Sequence, residues 1–267
     1  MLEVGAFYDA LAPWYHLVYQ DWEASIGRYG RALSSLLASE WGSATHRVLD
    51  AAVGIGTQAL GLAALGFQVT GSDISLAAVQ RAGKEAGRRG LRLGCLVADV
   101  RALAVRSATF DIVLACDNAL PHLLSENDIR CAFEECFRCI RPGGGCVISI
   151  REYGVPPSPG TVETQDYGDR IWSSRRCRLL QTRRWRGQFY DVAFELLTND
   201  EAKAVVLRTP ETNYFAIGVE RMAVLMGEAG FTRVRRIDGC PSSPCSLAHD
   251  RCARLQTPAR AYAATIR

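Results

Sequence analysis

The chain has 267 residues, 48% of them hydrophobic and 22% charged, with a formal net charge of +3 and ten cysteines. That balance excludes collagen-like, low-complexity and disordered chains, and +3 is too small to argue for a nucleic-acid partner. No apolar stretch reaches the roughly 18 residues of a membrane span, and no basic region precedes an apolar one at the N-terminus. No membrane partner is therefore expected, and the expected location is the cytoplasm, where the cysteines read as separate thiols. Basic charge rests on 29 arginines and only Lys84 and Lys203, a compositional bias.

The first forty residues are aromatic and helical, with Asp21 placed to cap a helix whose apolar face runs through Ile26, Leu33, Leu36 and Leu37. Alternation then begins. Strands are predicted at 47–51, 67–73, 91–99, 110–116 and 146–152, and helices at 57–65, 75–89 and 125–140, the last two opened by Ser75 and Ser125. An RPGGG turn is expected at 141–145. Five strands separated by helices make an α/β fold with a doubly wound, Rossmann-like parallel sheet. Beyond 153 three strand-like stretches, 171–186, 189–197 and 202–208, suggest an antiparallel β insertion. A helix at 219–229 and strands at 232–237 and 261–266 follow. One domain is expected over 1–267: an N-terminal helical cap (1–45), a cofactor-binding core (46–153), the insertion (154–215) and a C-terminal region (216–267).

The segment VLDAAVGIGTQA puts Gly54 and Gly56 between a strand and a helix N-terminus, where backbone N–H groups can meet a ligand. With Ala59 and Asp73 the loop satisfies a dinucleotide pattern. Asp50, four residues before Gly54, argues otherwise, because a carboxylate there repels a pyrophosphate and suits a cation. Asp99 ends the third strand, and Asp117 and Asn118 end the fourth. Acids at the ends of the first three strands describe a pocket for a ligand with an amine, a ribose diol and an adenine but no phosphate. S-adenosylmethionine is such a ligand.

With these residues the chain resembles a class I S-adenosylmethionine-dependent methyltransferase, and residues 48–75 resemble the glycine and sarcosine N-methyltransferase branch. The resemblance implies that Asp50, Ala52, Gly54 and Gly56 hold the methionine part of the cofactor, Asp73 and Ile74 the ribose, and Asp99 and Val100 the adenine. It also implies cofactor contacts from Cys116, Asp117 and His122. Val53 departs from the family, which has Cys there. CDNALPHLL (116–124) is similar to the segment in which an Asn touches substrate and cofactor, giving Asn118 that role. REY (151–153) resembles the family's fifth-strand Arg-x-Tyr, whose Arg clamps an acceptor carboxylate, here Arg151. Asn118, Arg151 and Tyr19 are the candidate catalytic residues, and Tyr15, Tyr153, Tyr167 and Tyr214 candidate substrate contacts beside Asn118 and Arg151.

Each assignment has a plainer alternative. His122 can be a satisfied helix-start histidine, Arg151 a surface ion pair, the tyrosines core packing, and the arginines between 170 and 186 a solvated hairpin face. Cys136 and Cys139 have redox spacing but helical periodicity, so packing is favoured. Cys95, Cys116 and Cys146 are expected in core strands. Cys240, Cys245, His249 and Cys252 lack a standard zinc spacing, and no metal is expected. The expected partner is a small-molecule acceptor, an amine of the glycine or sarcosine kind. Alternatives are a natural-product N- or O-methyltransferase with a larger acceptor, an arsenite methyltransferase, and a cofactor-binding regulatory pseudoenzyme. Oligomeric state is left open.

Overall fold

The computed structural model describes residues 2–198, 205–237 and 259–265. The tail thiols Cys240, Cys245 and Cys252, and His249, lie outside the described residues. A seven-stranded sheet has the order β11-β12-β5-β4-β1-β2-β3. Its parallel part pairs β1 (Arg47–Asp50) with β2 (Gln68–Asp73) and β4 (Phe110–Ala115), β2 with β3 (Leu93–Val97), and β4 with β5 (Ile140–Arg151). At the far edge β12 (Ala259–Thr265) runs antiparallel between β5 and β11 (Thr232–Ile237). The chain reverses direction between β1 and β4, and this crevice at the strands' carboxyl ends is where open α/β sheets bind ligands.

Helices cover both faces. On one, α2 (Trp22–Trp41), α3 (Thr57–Ala64) and α4 (Leu76–Arg88) bury a cluster with Val48, Ile112, Leu114 and Val147. On the other, α5 (Glu126–Cys139) and α6 (Val219–Glu228) pack over Leu49, Val113, Cys146 and Ile148. Asp21 caps α2 by accepting from the Ala24 N–H at 2.9 Å, Ser75 caps α4, and Ser125 caps α5, as the sequence predicts. Glycines set the α2–α3 approach: a Cβ on Gly30 would stand 2.5 Å from the carbonyl carbon of Gly61. Gly71 similarly leaves room for Val53, the family departure, whose side chain a Cβ there would meet at 2.6 Å.

Four sequence expectations are corrected. No helix joins β3 to β4; residues 98–109 are a loop of turns. The RPGGG segment is not a free turn but the start of β5, with a register shift opposite Phe110 and Ile112. The stretch 171–186 is not one strand: Ser173 and Ser174, both with positive φ (48° and 64°), turn between β6 (Val162–Trp172) and β7 (Arg175–Arg186). With β8 (Phe189–Thr198), β9 (Val205–Arg208) and β10 (Thr212–Phe215) they form a five-stranded antiparallel sheet. Cys95 is exposed because β3 is the edge strand of the main sheet, whereas Cys116, Cys136, Cys139 and Cys146 are buried.

The cap is α1 (Leu2–Leu11), a 3-10 turn (Tyr15–Val18) and the start of α2. Its side chains Phe7, Leu11, Trp14 and Leu17 share a core with Leu179, Tyr190 and Phe194 of the insertion. Asp9 of α1 accepts from Ser75 Oγ at 2.6 Å and the Ala77 N–H at 2.9 Å, so the cap is fastened to the first turn of α4. Cap, insertion and sheet enclose one cleft. Among the described residues no helix is long and apolar enough to cross a membrane.

Candidate active site

The first chamber, about 810 Å³, lies over the carboxyl ends of β1, β2 and β4. The glycine loop forms its floor. Ala51 N–H donates to the Leu114 carbonyl and Val53 N–H to that of Ser72, which ties the loop across three strands. Gly54 and Gly56 have φ of 51° and 94°, a region an L side chain rarely adopts. Asp73 accepts from the Gly54 N–H at 2.8 Å and the Ser75 N–H at 2.9 Å. Trp22 Nε1 donates to Thr57 Oγ1 at 2.8 Å, fixing the first turn of α3 to the cap.

The chamber's electrostatics are one-sided. Asp73 and Asp117 line it, Asp50 lies buried behind it, and neither lysine nor arginine is in the wall. Burial pushes the Asp50 carboxyl up to about 7, and nearby Asp73 and Asp117 add to the rise against the Ala52 N–H hydrogen bond. Burial likewise raises Asp117 to about 7 although Gln58 and Tyr19 donate to it, and raises Asp73. Asp50 Oδ2 and Asp117 Oδ1 are buried without a hydrogen-bond partner. Desolvated carboxylates with orphaned oxygens call for a cationic donor, and a sulfonium bearing an ammonium group fits while a pyrophosphate does not.

The second chamber, about 660 Å³, opens between the sheet and the insertion. It is lined by Asn118, Arg151, Tyr167, Gln181, Tyr190 and Phe194, among others. Tyr8, Tyr15 and Asp117 belong to both walls. Asp117 and Asn118 are consecutive left-handed residues, with φ of 56° and 64°. Ser149 holds this bend from β5, its Oγ accepting from the Asp117 N–H at 2.9 Å and its carbonyl from the Asn118 N–H at 3.0 Å. Tyr19 OH and Gln58 Nε2 both donate to Asp117 Oδ2, at 3.3 and 2.9 Å.

Most sequence candidates converge here. Ala52, Gly54, Asp73, Ile74, Val100, Cys116, Asp117, His122, Tyr15 and Tyr19 line the first chamber, and Asn118, Arg151, Tyr167 and Tyr214 the second. Two stand apart. Asp99 does not line the first chamber: its carboxylate is held by the Arg101 guanidinium, with Nη2 at 2.7 Å, and Arg101 also reaches Asp128. Tyr153 lines neither chamber; it accepts from Asn118 Nδ2 at 2.9 Å and meets Tyr190 OH at 2.7 Å. Gln58, Gln181, Tyr190 and Phe194 were not anticipated. Gln58 follows the glycine loop by two residues, and Tyr190, Val192 and Phe194 alternate along β8, a signal that period-two reading could have carried.

Residues 48–144 match the model of a family described as a methyltransferase domain. The chain is 30% identical over 129 residues to a glycine/sarcosine N-methyltransferase of Aphanothece halophytica, covering 47% of this chain and 49% of that protein. Over 99 residues it is 37% identical to a ubiquinone biosynthesis O-methyltransferase of Methylocella silvestris, 37% of each. The chain thus spans half or less of the length of these two relatives. In fold it is similar to CalS10 of Micromonospora echinaspora, an amino pentose methyltransferase solved with the donor bound (TM-score 0.68, 17% identity, 94% of each chain). Residues 48–144 thus match a methyltransferase domain, and the chain shares the fold of CalS10, a methyltransferase solved with S-adenosylmethionine bound.

Proposed function

We propose that the protein is an S-adenosylmethionine-dependent methyltransferase acting on the amine of a small molecule, with amino acids of the glycine or sarcosine kind as the nearest analogy. The observation that carries this reading is Asp117, a half-buried residue in the walls of both chambers whose Oδ1 is buried and, among the described residues, has no partner. When bound, the cofactor supplies an electrophilic methyl group on a positively charged sulfur. On this reading Asp50 and the glycine loop hold the cationic methionine part of that donor, and Asp73 its ribose hydroxyls.

Gln58 and Tyr19 fix Asp117 Oδ2, so Oδ1 remains for a ligand. An acceptor arriving as an ammonium ion is attracted to this carboxylate and can leave its proton there, becoming the neutral nucleophile that methyl transfer needs. A neutral phenol gains no such charge attraction at the carboxylate, so the support here is for a cationic amine. Arg151 lies in the wall of the second chamber, where its guanidinium can hold an acceptor carboxylate. Tyr8 and Tyr15 close the seam against water. The site needs no covalent intermediate, and positioning supplies most of the acceleration, on the order of 7 to 11 kcal/mol. The partner on this reading is a small molecule, not nucleic acid or membrane, and the location cytoplasmic.

The test has two arms. Calorimetry with S-adenosylmethionine and with NADH should give binding only to the first; the reverse would end the proposal. Methylation of a panel of amines and phenols should yield product from amines, with Arg151→Ala raising the KM of carboxylated ones. A second reading, a larger acceptor amine, is favoured by the aromatic lining of the second chamber, Tyr167, Tyr190, Phe194 and Tyr214, whose rings offer stacking surface that glycine does not use. Amino sugars in the same panel decide between the two.

A further inference from the structure

The insertion carries seven arginines between 170 and 186, and the structure divides them. Arg178 and Arg186 are exposed and paired with Asp166 and Asp191, and Arg170 Nε donates to the Leu17 carbonyl, so the solvated-face reading holds for the first two. Arg183 is different: it is 6% exposed and, among the described residues, has no acidic partner. Its Nη2 donates to Gln165 Oε1 at 3.0 Å and to Gln181 Oε1 at 2.9 Å, while its Nε is buried with no partner. Glu163 stands opposite Arg183 in the β6–β7 register, yet the guanidinium turns to the two glutamines instead.

Arg183 does not itself line the second chamber; it lies just behind the lining, on the same face of β7 as the lining residue Gln181, to which it donates. Its cross-strand partner Val192 lines that chamber, as do Gln181 on its own strand and Tyr190 and Phe194 on either side of Val192. Two residues along, Trp185 is also 6% exposed, and its Nε1 is likewise buried without an acceptor. Two orphaned donors, one of them cationic, on successive inward positions of one strand call for a single kind of missing group. That group is an anionic oxygen.

We propose that Arg183 is a specificity-determining residue that binds an anionic oxygen group of the acceptor from the β insertion, so that the acceptor is an amine whose body carries a carboxylate or comparable anion. Arg151 acts from the end of β5, in the main sheet. The inference rests on the second chamber being the acceptor site, and it adds an anchor that the amine and Arg151 do not provide.

Direct binding tests it apart from turnover. Phenylacetate, its neutral amide phenylacetamide, and phenyl phosphate are titrated by saturation-transfer NMR into the full chain loaded with S-adenosylhomocysteine, and into the chain without it. Wild type should bind phenylacetate about 10- to 100-fold more tightly than the amide, as loss of a charged hydrogen bond predicts. Arg183→Gln should reduce that preference about tenfold, Arg183→Lys should keep part of it, and Arg151→Ala should leave a component that Arg183→Gln then removes. Gln181→Glu provides a variant that retains the acceptor oxygen for Arg183 and neutralises the guanidinium from within; it too should diminish the preference for phenylacetate over the amide. Tighter binding of phenyl phosphate than phenylacetate would identify the anion as phosphate. Equal binding of acid and amide by wild type, or an undiminished preference in both Arg183→Gln and Gln181→Glu, would overturn the proposal. Failure of the methyltransferase reading shows differently, as absence of donor binding and of product from every amine, and leaves the anion titration standing.

Discussion

The Tyr8 hydroxyl donates to Nε2 of His122 across 2.9 Å, joining the first helix to the 3-10 turn that follows β4. The direction follows from the other ring nitrogen. His122 Nδ1 faces the Asn213 carbonyl at 3.1 Å and must carry the proton, so Nε2 accepts. Tyr8, having given its proton, accepts from Tyr214 OH at 3.1 Å. His122 therefore meets the plainer expectation of a satisfied histidine while still lining the first chamber. Tyr8→Phe strands both Nε2 and the Tyr214 hydroxyl, and should cost about 1 to 3 kcal/mol in urea denaturation. A loss below the error of the measurement would show that the chain does not fasten the cap.

The same histidine sets an acid limit. Burial lowers His122 to about 3 and His16 to about 4, below the ordinary histidine value near 6.5. A group with a depressed folded pKa that is neutral when native takes up its proton more readily unfolded. Its contribution is present above about pH 6.5 and is lost as pH falls from there through the folded value. His122→Gln should flatten the part of the stability profile between about pH 6.5 and 4 that His122 supplies, read from melts at successive pH values.

Asp50 and Asp117 carry the opposite sign. Their folded values near 7 exceed the ordinary carboxylate value of about 4, so the free protein holds protons there that the unfolded chain has released. Their contribution to stability is full below about pH 4 and is lost as pH rises through 7. A cationic donor reverses this by favouring the ionised carboxylates. Affinity for S-adenosylmethionine should rise with pH up to about 7 and then level, with proton release at pH 6 measurable by calorimetry in buffers of different ionisation enthalpy. Asp50→Asn should remove part of that release. Binding at pH 6 with no proton released would mean that the carboxylates are already ionised.

Much of this was legible from residue pattern. The five parallel strands, three serine or aspartate caps and the glycine loop follow from local chemistry, and the structure realises them. What escaped lacked a local signal. Ser173 and Ser174 adopt positive φ without Gly or Asn to announce a turn, so β6 and β7 read as one run. Asp99 looked free because strand position says nothing of Arg101, two residues on, folding back over it. The tight approach of Gly30 to Gly61 depends on two helices meeting, which neither helix states alone.

That approach makes a stability prediction. A Cβ on Gly61 would lie 2.4 Å from the Ile26 carbonyl oxygen, and one on Gly30 would lie 2.5 Å from the Gly61 carbonyl, distances only a backbone shift can relieve. Gly61→Ala and Gly30→Ala should each cost about 1 to 3 kcal/mol or more by overpacking. Because Trp22 at the start of α2 holds Thr57 beside the glycine loop, separating α2 from α3 should also weaken donor binding. Urea melts and calorimetry on the same samples check both, and an alanine variant of native stability would show that the helices can part without cost.

Asn118 separates positioning from binding. Its Oδ1 accepts from the Arg151 N–H at 2.9 Å and its Nδ2 donates to Tyr153, so one side chain braces the end of β5 where Arg151 emerges. It lines the second chamber and not the first. Asn118→Ala should therefore raise the KM of whichever amine is methylated by about tenfold or more, from loss of hydrogen bonds worth about 0.5 to 1.5 kcal/mol each. Donor Kd should be unchanged. Alanine also tolerates the 64° φ less well than asparagine, a cost that Asn118→Gly avoids. Glycine should recover stability relative to alanine while leaving KM high. Should Asn118→Gly restore KM as well, the backbone bend rather than the amide would be what positions Arg151.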